Sequence, residues 1–235
     1  FIRTRLALKR ARLGQALSAL GERLTRRSST HAAWGGLKMF LQSQLPPDDP
    51  GRQRAREHFE ANLEAIVRTG VRAGLPVVLS TVAVNLKDCG PFASLPSARI
   101  EEPARTNLVR WLETGKANEA AGDWTAAQEA YMQAAVADPR FAEVQFRLGQ
   151  CLLRLGRSAE AREAFERACD ADALPFRAGV WLNAAIRDVA DRHRTERVKV
   201  VDSAKKLADE TPTGIPGQEV FWEHVHLNFE GNHRL

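Results

Sequence analysis

Glu223 and His226 stand three positions apart in the closing stretch EVFWEHVHLNFEGNHRL, with His224 between them and Glu219, Glu230 and His233 close by. A carboxylate that accepts a hydrogen bond from one imidazole nitrogen fixes the ring's tautomer, which leaves the other nitrogen free to take a proton. The natural recipient of such help is a hydroxyl nucleophile, because a serine is a poor nucleophile at neutral pH without a base beside it. General-base help of this kind is worth roughly a hundred- to ten-thousand-fold in rate. His224, His226 and His233, with Glu219, Glu223 and Glu230, are thus the groups of this tail able to move or hold a proton. Zinc held by His224, His226 and His233 is the competing chemistry. In an extended tail His224 and His226 project to opposite sides, and no cysteine is near, so no metal and no cofactor are expected.

Two more residues are candidates for contact with a substrate. Asn85 follows the apolar run LPVVLSTVAV and can donate a hydrogen bond from its amide, or cap the polar loop NLKD. Arg177, in PFRAG, offers a planar fork to a carboxylate. Lys87 and Asp88 read as a surface ion pair.

These residues need a frame to gather them. PGRQRAREHFEANLEAIVRTGVRAG carries Phe59, Leu63, Ile66 and Val67 at helical spacing and closes at Gly70 and Gly74. LPVVLSTVAV then reads as a buried strand, PFRAGVWLNAAIRDVADRH as a helix and VKVVD as a second strand. That order predicts an α/β fold, with a parallel sheet covered on both faces in three layers. Ligands of such sheets sit beyond the carboxyl ends of the strands, where Asn85 and Asp202 fall and where the tail can reach.

Between the two halves lies an internal repeat. At an offset of 34 residues Gly115 matches Gly149, Gly122 matches Gly156, Ala127 matches Ala161, Tyr131 matches Phe165 and Ala134 matches Ala168, which is the period of the tetratricopeptide repeat. Small residues let paired helices approach, and Tyr131 or Phe165 fills the gap between one unit and the next. Two repeats are fewer than the three a free solenoid needs, so they are expected to lean on the flanks. The division that follows is 1–103 and 173–235 for the two portions of the α/β domain, and 104–172 for an all-α insertion.

GIPGQEVFWEHVHLNFEGN, VVLSTVAVNLKDCGPF and REHFEANLEAIV together resemble the SGNH or GDSL-type hydrolases, in particular bacterial members with a tetratricopeptide segment inside the catalytic domain. The resemblance runs from about Trp34 onward. It implies a flavodoxin-like three-layer domain, a serine nucleophile and attack on an ester or acyl group carried by a small molecule or a glycan, with water or a sugar hydroxyl as acceptor. It places His226 as base and Glu223 where the family usually carries Asp. The family's Gly-Asp-Ser block and its oxyanion-hole Gly and Asn blocks have no counterpart in the sequence, and the chain opens at Phe1. The expectation is a domain incomplete at its N-terminus, with the nucleophile upstream. Esterase is the first reading. O-acyltransferase of the same fold, or a non-catalytic scaffold whose repeats bind a protein, is the alternative.

Composition bounds what else is possible. Hydrophobic residues at 44% and charged residues at 27% suit a globular chain of 235 residues, and a net charge of +5 is only mildly basic. The basic stretch FIRTRLALKRARLGQALSALGERLTRR reads as a solvated helix face, and no nucleic-acid partner is expected. Cys89, Cys151 and Cys169 show neither metal spacing nor a disulfide framework, which leaves the compartment open. With no apolar run long enough to span a bilayer, membrane anchoring is expected only through a missing N-terminal segment.

Overall fold

A computed structural model describes residues 39–40, 42–194 and 197–235. The basic N-terminal stretch, Ser28, Ser29 and Trp34 lie outside the described residues. Ser43–Leu235 form one compact unit. Its elements run α1 (Pro50–Arg72), β1 (Val77–Ser80), α2 (Glu102–Ala120), α3 (Trp124–Ala137), α4 (Ala142–Arg154), α5 (Ser158–Ala171), α6 (Val180–Arg192), β2 (Val198–Val201), α7 (Ser203–Asp209) and α8 (Phe229–Arg234).

α1 begins where its sequence says it should. The Asp49 carboxylate accepts from the Gly51 N–H at 2.6 Å, and Pro50 occupies the first turn, where its missing N–H costs nothing. The helix ends before Gly74, whose φ of 70° is a left-handed conformation that glycine adopts without strain. Leu63, Val67 and Val71 on one face pack with Val77, Leu79, Val189 and Val198. β1 and β2 pair in parallel, with Val77 opposite Val198 and Ser80 opposite Val201.

The expected three-layer parallel sheet is overturned. Among the described residues there are eight helices and two strands of four residues each. The apolar run after Leu75 pairs only over Val77–Ser80, and the segment from Thr81 to Asn85 is irregular. Among the described residues one face of the pair is covered, by α1 and α6, while Val78 on the other face is 65% exposed. A run of β-branched residues signals burial, but it does not say how many neighbours share the sheet.

α2 to α5 form the two helix pairs that the 34-residue period predicts. Each pair closes on a glycine: a methyl at Gly115 would collide with the Tyr131 ring, and one at Gly149 would meet the Phe165 ring at 2.8 Å. Each ring thus lies against the glycine of its own unit. The Tyr131 hydroxyl donates to Glu119 at 2.6 Å, and Arg147 reaches Glu119 at 2.9 Å and Glu143 at 2.9 Å, tying the first unit to the second. The apolar core of the repeats is continuous with the flanks, since Ile215 is part of it and Leu86 packs against it.

Candidate functional site

The tail turns back on itself after α7. Phe221 and Leu227 form an antiparallel bridge, the Trp222 N–H donates to the His226 carbonyl at 2.9 Å, and Val220, Phe221 and Leu207 anchor the turn in a small apolar cluster with Leu227 and Ala83. Glu223 sits at the centre of this turn. Its carboxylate accepts from the backbone N–H of His224 at 2.5 Å, of Val225 at 3.3 Å and of His226 at 3.0 Å, and it also contacts Nδ1 of both His224 and His226. Burial works to raise its carboxyl, but the hydrogen bonds from the His226 ring and from the His226 and His224 backbone outweigh burial and bring it down to about 2.

His224 and His226 therefore do not project to opposite sides. The segment is a turn rather than an extended strand, and both rings converge on one carboxylate with centroids 6.4 Å apart. The two differ in surroundings: His224 stands edge-on to Phe92 at 5.0 Å, while the His226 side chain is 80% exposed. With Nδ1 of His226 on Glu223, Nε2 is the nitrogen left for proton transfer. Trp222 is also exposed, at 65%, and its ring meets Phe229 at 6.2 Å.

Asn85 lies beneath this turn and joins it to the loop after β1. Its backbone N–H donates to the His224 carbonyl at 3.0 Å, its amide Nδ2 to the Glu223 carbonyl at 3.0 Å, and its Oδ1 accepts from the Asp88 N–H at 3.0 Å. The residue is 1% exposed, so every polar group of the side chain is engaged with the protein's own backbone. Arg177 holds the same loop from the other side. Its guanidinium donates to the carbonyls of Asn85 at 2.9 Å, Cys89 at 2.5 Å and Gly90 at 3.3 Å, and it stands 3.6 Å from the Asp172 carboxylate. Asp172 in turn accepts from the N–H groups of Phe92, Ala93 and Leu174. Burial pushes the Asp172 carboxyl up, against those three donors and Arg177. The structure thus brings Glu223, His226, Asn85 and Arg177 into one chain of contacts, with Asn85 and Arg177 setting the position of the turn.

Other candidates separate from this cluster. Lys87 pairs with Glu219 at 2.9 Å rather than with Asp88, which accepts from the Gln218 N–H at 2.8 Å. Asp202 caps α7, accepts from Thr81 and binds Arg187 through two contacts of 3.0 Å, which together bring its carboxyl down to about 2. Ser80 Oγ shares a hydrogen bond with Ser203 Oγ at 2.8 Å. Burial raises the Cys89 thiol above its usual value. No group of three or more His, Cys, Asp or Glu gathers into a metal site among the described residues. No described helix is long and apolar enough to cross a membrane. A cavity of about 410 Å³ opens past the ends of β1 and β2, lined by Val82, Val84, Cys169, Asn183, Arg187 and Asp202, and His226 is not among its walls.

Neither Asp172 nor the two-imidazole arrangement was foreseen from the sequence. Asp172 ends a repeat helix, where an acid reads as ordinary solvated surface, and the sharing of Glu223 depends on a turn that periodicity does not reveal. Comparison with known proteins bears on the repeats alone: residues 112–175 match the tetratricopeptide repeat family. No curated protein matches this chain.

Proposed function

We propose that this chain is a protein-binding scaffold whose tetratricopeptide repeats supply the contact surface and whose flanking segments support them. The observation that carries this reading is the family match over 112–175, which spans the latter part of α2 and the whole of α3, α4 and α5. Stacked helix pairs present extended surfaces built for partners rather than enclosed pockets for small substrates. The division into 1–103, 104–172 and 173–235 belongs to this proposal, with the middle segment as the binding element. Photocrosslinking tests it. A benzophenone amino acid introduced singly at Val109, Met132 and Arg154 on the repeats, and at Val78 and Trp222 away from them, is expected to give partner adducts from the repeat positions. Adducts confined to Val78 and Trp222 refute the reading.

A second reading has its own support in the contact between the Glu223 carboxylate and His226 Nδ1, which gives an exposed imidazole with its other nitrogen available. In this reading the pair is the base of an ester hydrolase or O-acyltransferase. His226 takes the proton of a serine hydroxyl that lies outside the described residues, and Glu223 stabilises the imidazolium. Asn85 and Arg177 then hold the turn that carries the pair. The substrate is an ester- or acyl-bearing small molecule or glycan, and no cofactor takes part. Hydrolysis of a short-chain chromogenic ester by the complete protein is expected to fall at least about a hundredfold in His226→Ala. Unchanged hydrolysis removes this role.

A further inference from the structure

The two repeats share their chemistry but not their surroundings. On the second repeat, Gln145, Leu148 and Leu152 of α4 and Ala164 of α5 are all buried. Leu148, Leu152 and Ala164 belong to the same apolar cluster as Ala127, Tyr131 and Ala134 of α3, the second helix of the preceding unit, and α3 packs against α4. Moving back by one 34-residue period, the equivalent positions on the first repeat are Trp111, Thr114 and Asn118 of α2 and Ala130 of α3. There they line an open groove of about 440 Å³, with Ala126, Glu129, Met132 and Gln133 completing its walls. Met132 is 48% exposed, and Val136, one turn further along α3, is 80% exposed. One repeat's seat for a helix is thus filled, while the same seat on the other stands open among the described residues.

We infer that this groove receives an α-helix from a protein partner, laid against α2 as α3 is laid against α4. The proposal rests on the scaffold reading and names the surface and the partner's chemistry. Two observations define the occupant. The interface it extends already exists one period away, so the partner's backbone must be helical and its seam must carry apolar residues at i, i+4 and i+7, the spacing of Ala127, Tyr131 and Ala134, the α3 residues that share a cluster with Leu148 and Leu152. The groove also differs from its filled twin in its lining: Thr114 stands for Leu148 and Asn118 for Leu152, while Trp111 stands for Gln145 and Met132 for Glu166. The seam must then carry hydrogen-bonding side chains opposite Thr114 and Asn118, and apolar ones opposite Trp111 and Met132. The walls carry Glu129 as their single charged side chain, so an uncharged helix face fits better than an acidic or basic one. The hydroxyl and amide keep the seat wettable when empty, which suits a partner that comes and goes.

The inner face of the second repeat offers less room. Phe146 there is already met by the loop at Gly90, with ring atoms 3.5 Å from a β-carbon position at that glycine, and Leu86 and Ile215 pack into the same cluster.

The test uses the full chain and a synthetic peptide with the α3 sequence, held helical by a lactam bridge on its outer face. Binding is followed by tryptophan fluorescence and by amide chemical shifts. The wild-type chain is expected to bind weakly, with shifts clustered at Trp111, Asn118 and Met132. Thr114→Leu/Asn118→Leu, which recreates the chemistry of Leu148 and Leu152, is expected to tighten binding at least tenfold. Met132→Asp is expected to weaken it at least tenfold with unchanged circular dichroism. Equal affinity for all three proteins, or shifts confined to other surfaces, overturns the proposal. A dimer in the absence of peptide that Met132→Asp dissolves also overturns it, because the occupant is then a second copy. Partner adducts from Val109 or Arg154 with no peptide binding in the groove leave the scaffold reading standing and remove this proposal alone.

Discussion

Replacing Arg177 by Met probes the contact chain most directly, because the side chain is 2% exposed and Asp172 beside it is 1% exposed. The substitution keeps much of the volume but removes the donors to Asn85, Cys89 and Gly90, and leaves a buried carboxylate without its cation. Breaking a buried ion pair from one side costs about 3–5 kcal/mol, chiefly through the uncompensated charge that remains. Asp172 keeps three backbone donors, which places the cost near the low end, at roughly 3 kcal/mol. With a urea slope of about 2 kcal/mol per molar, the unfolding midpoint falls by about 1.5 M. Amide exchange at Asn85 and Asp88 is expected to accelerate, since the loop that Arg177 holds places the Asn85 N–H on the His224 carbonyl and the Asp88 N–H on Asn85 Oδ1. Adding Asp172→Asn to Arg177→Met removes the stranded charge and is expected to recover about 1 kcal/mol or more. Arg177→Lys restores charge without the fork and falls between. A midpoint shift below about 0.5 M in Arg177→Met, with exchange at Asn85 unchanged, refutes the assignment of this pair as the fastener of the loop.

Gly115→Ala is expected to destabilise by about 1–3 kcal/mol in thermal or urea unfolding, because the new methyl collides with the buried Tyr131 ring. His226→Ala is expected to change stability by less than about 0.5 kcal/mol, since its ring is mostly exposed, even where ester hydrolysis by the complete protein falls a hundredfold. The Glu223 carboxyl lies below its ordinary 4.5, at about 2, so its contribution to the turn is complete above about 4.5 and lost as pH falls toward 2. Carboxyl NMR shifts should titrate in that lower range, and a midpoint at 4.5 would refute the hydrogen-bonded turn. Deleting 106–172 strips Ile215 and Leu86 of their apolar partners and should yield insoluble protein. A soluble, cooperatively folding remainder would show that the flanks need no repeat.

The 34-residue period was fully legible in the sequence because it repeats a local geometry. Gly115 and Gly149 must be small because an aromatic ring crosses each of them, and Tyr131 and Phe165 recur at the matching places. The end of α1 at Gly74 was legible for the same reason, since that glycine acts on the backbone within a few residues of itself, whereas Gly70, read as part of the same end, lies inside the helix. The pairing of Glu223 with His226 came from the resemblance of the tail rather than from any period in the sequence, and in the structure the Glu223 carboxylate meets Nδ1 of His226 and of His224 alike.

Tertiary structure alone decided the rest. The β-branched runs around Val78 and Val200 predict burial, yet how many strands share a sheet depends on partners far away in the chain, and among the described residues the pair stands alone, with Val78 and Val200 partly exposed. Asn85 and Arg177 carry side chains that suit a ligand equally well as a backbone carbonyl. Which of the two they meet was set when the loop after β1 folded between the tail and the end of α5, and an isolated polar residue holds no record of what will close over it.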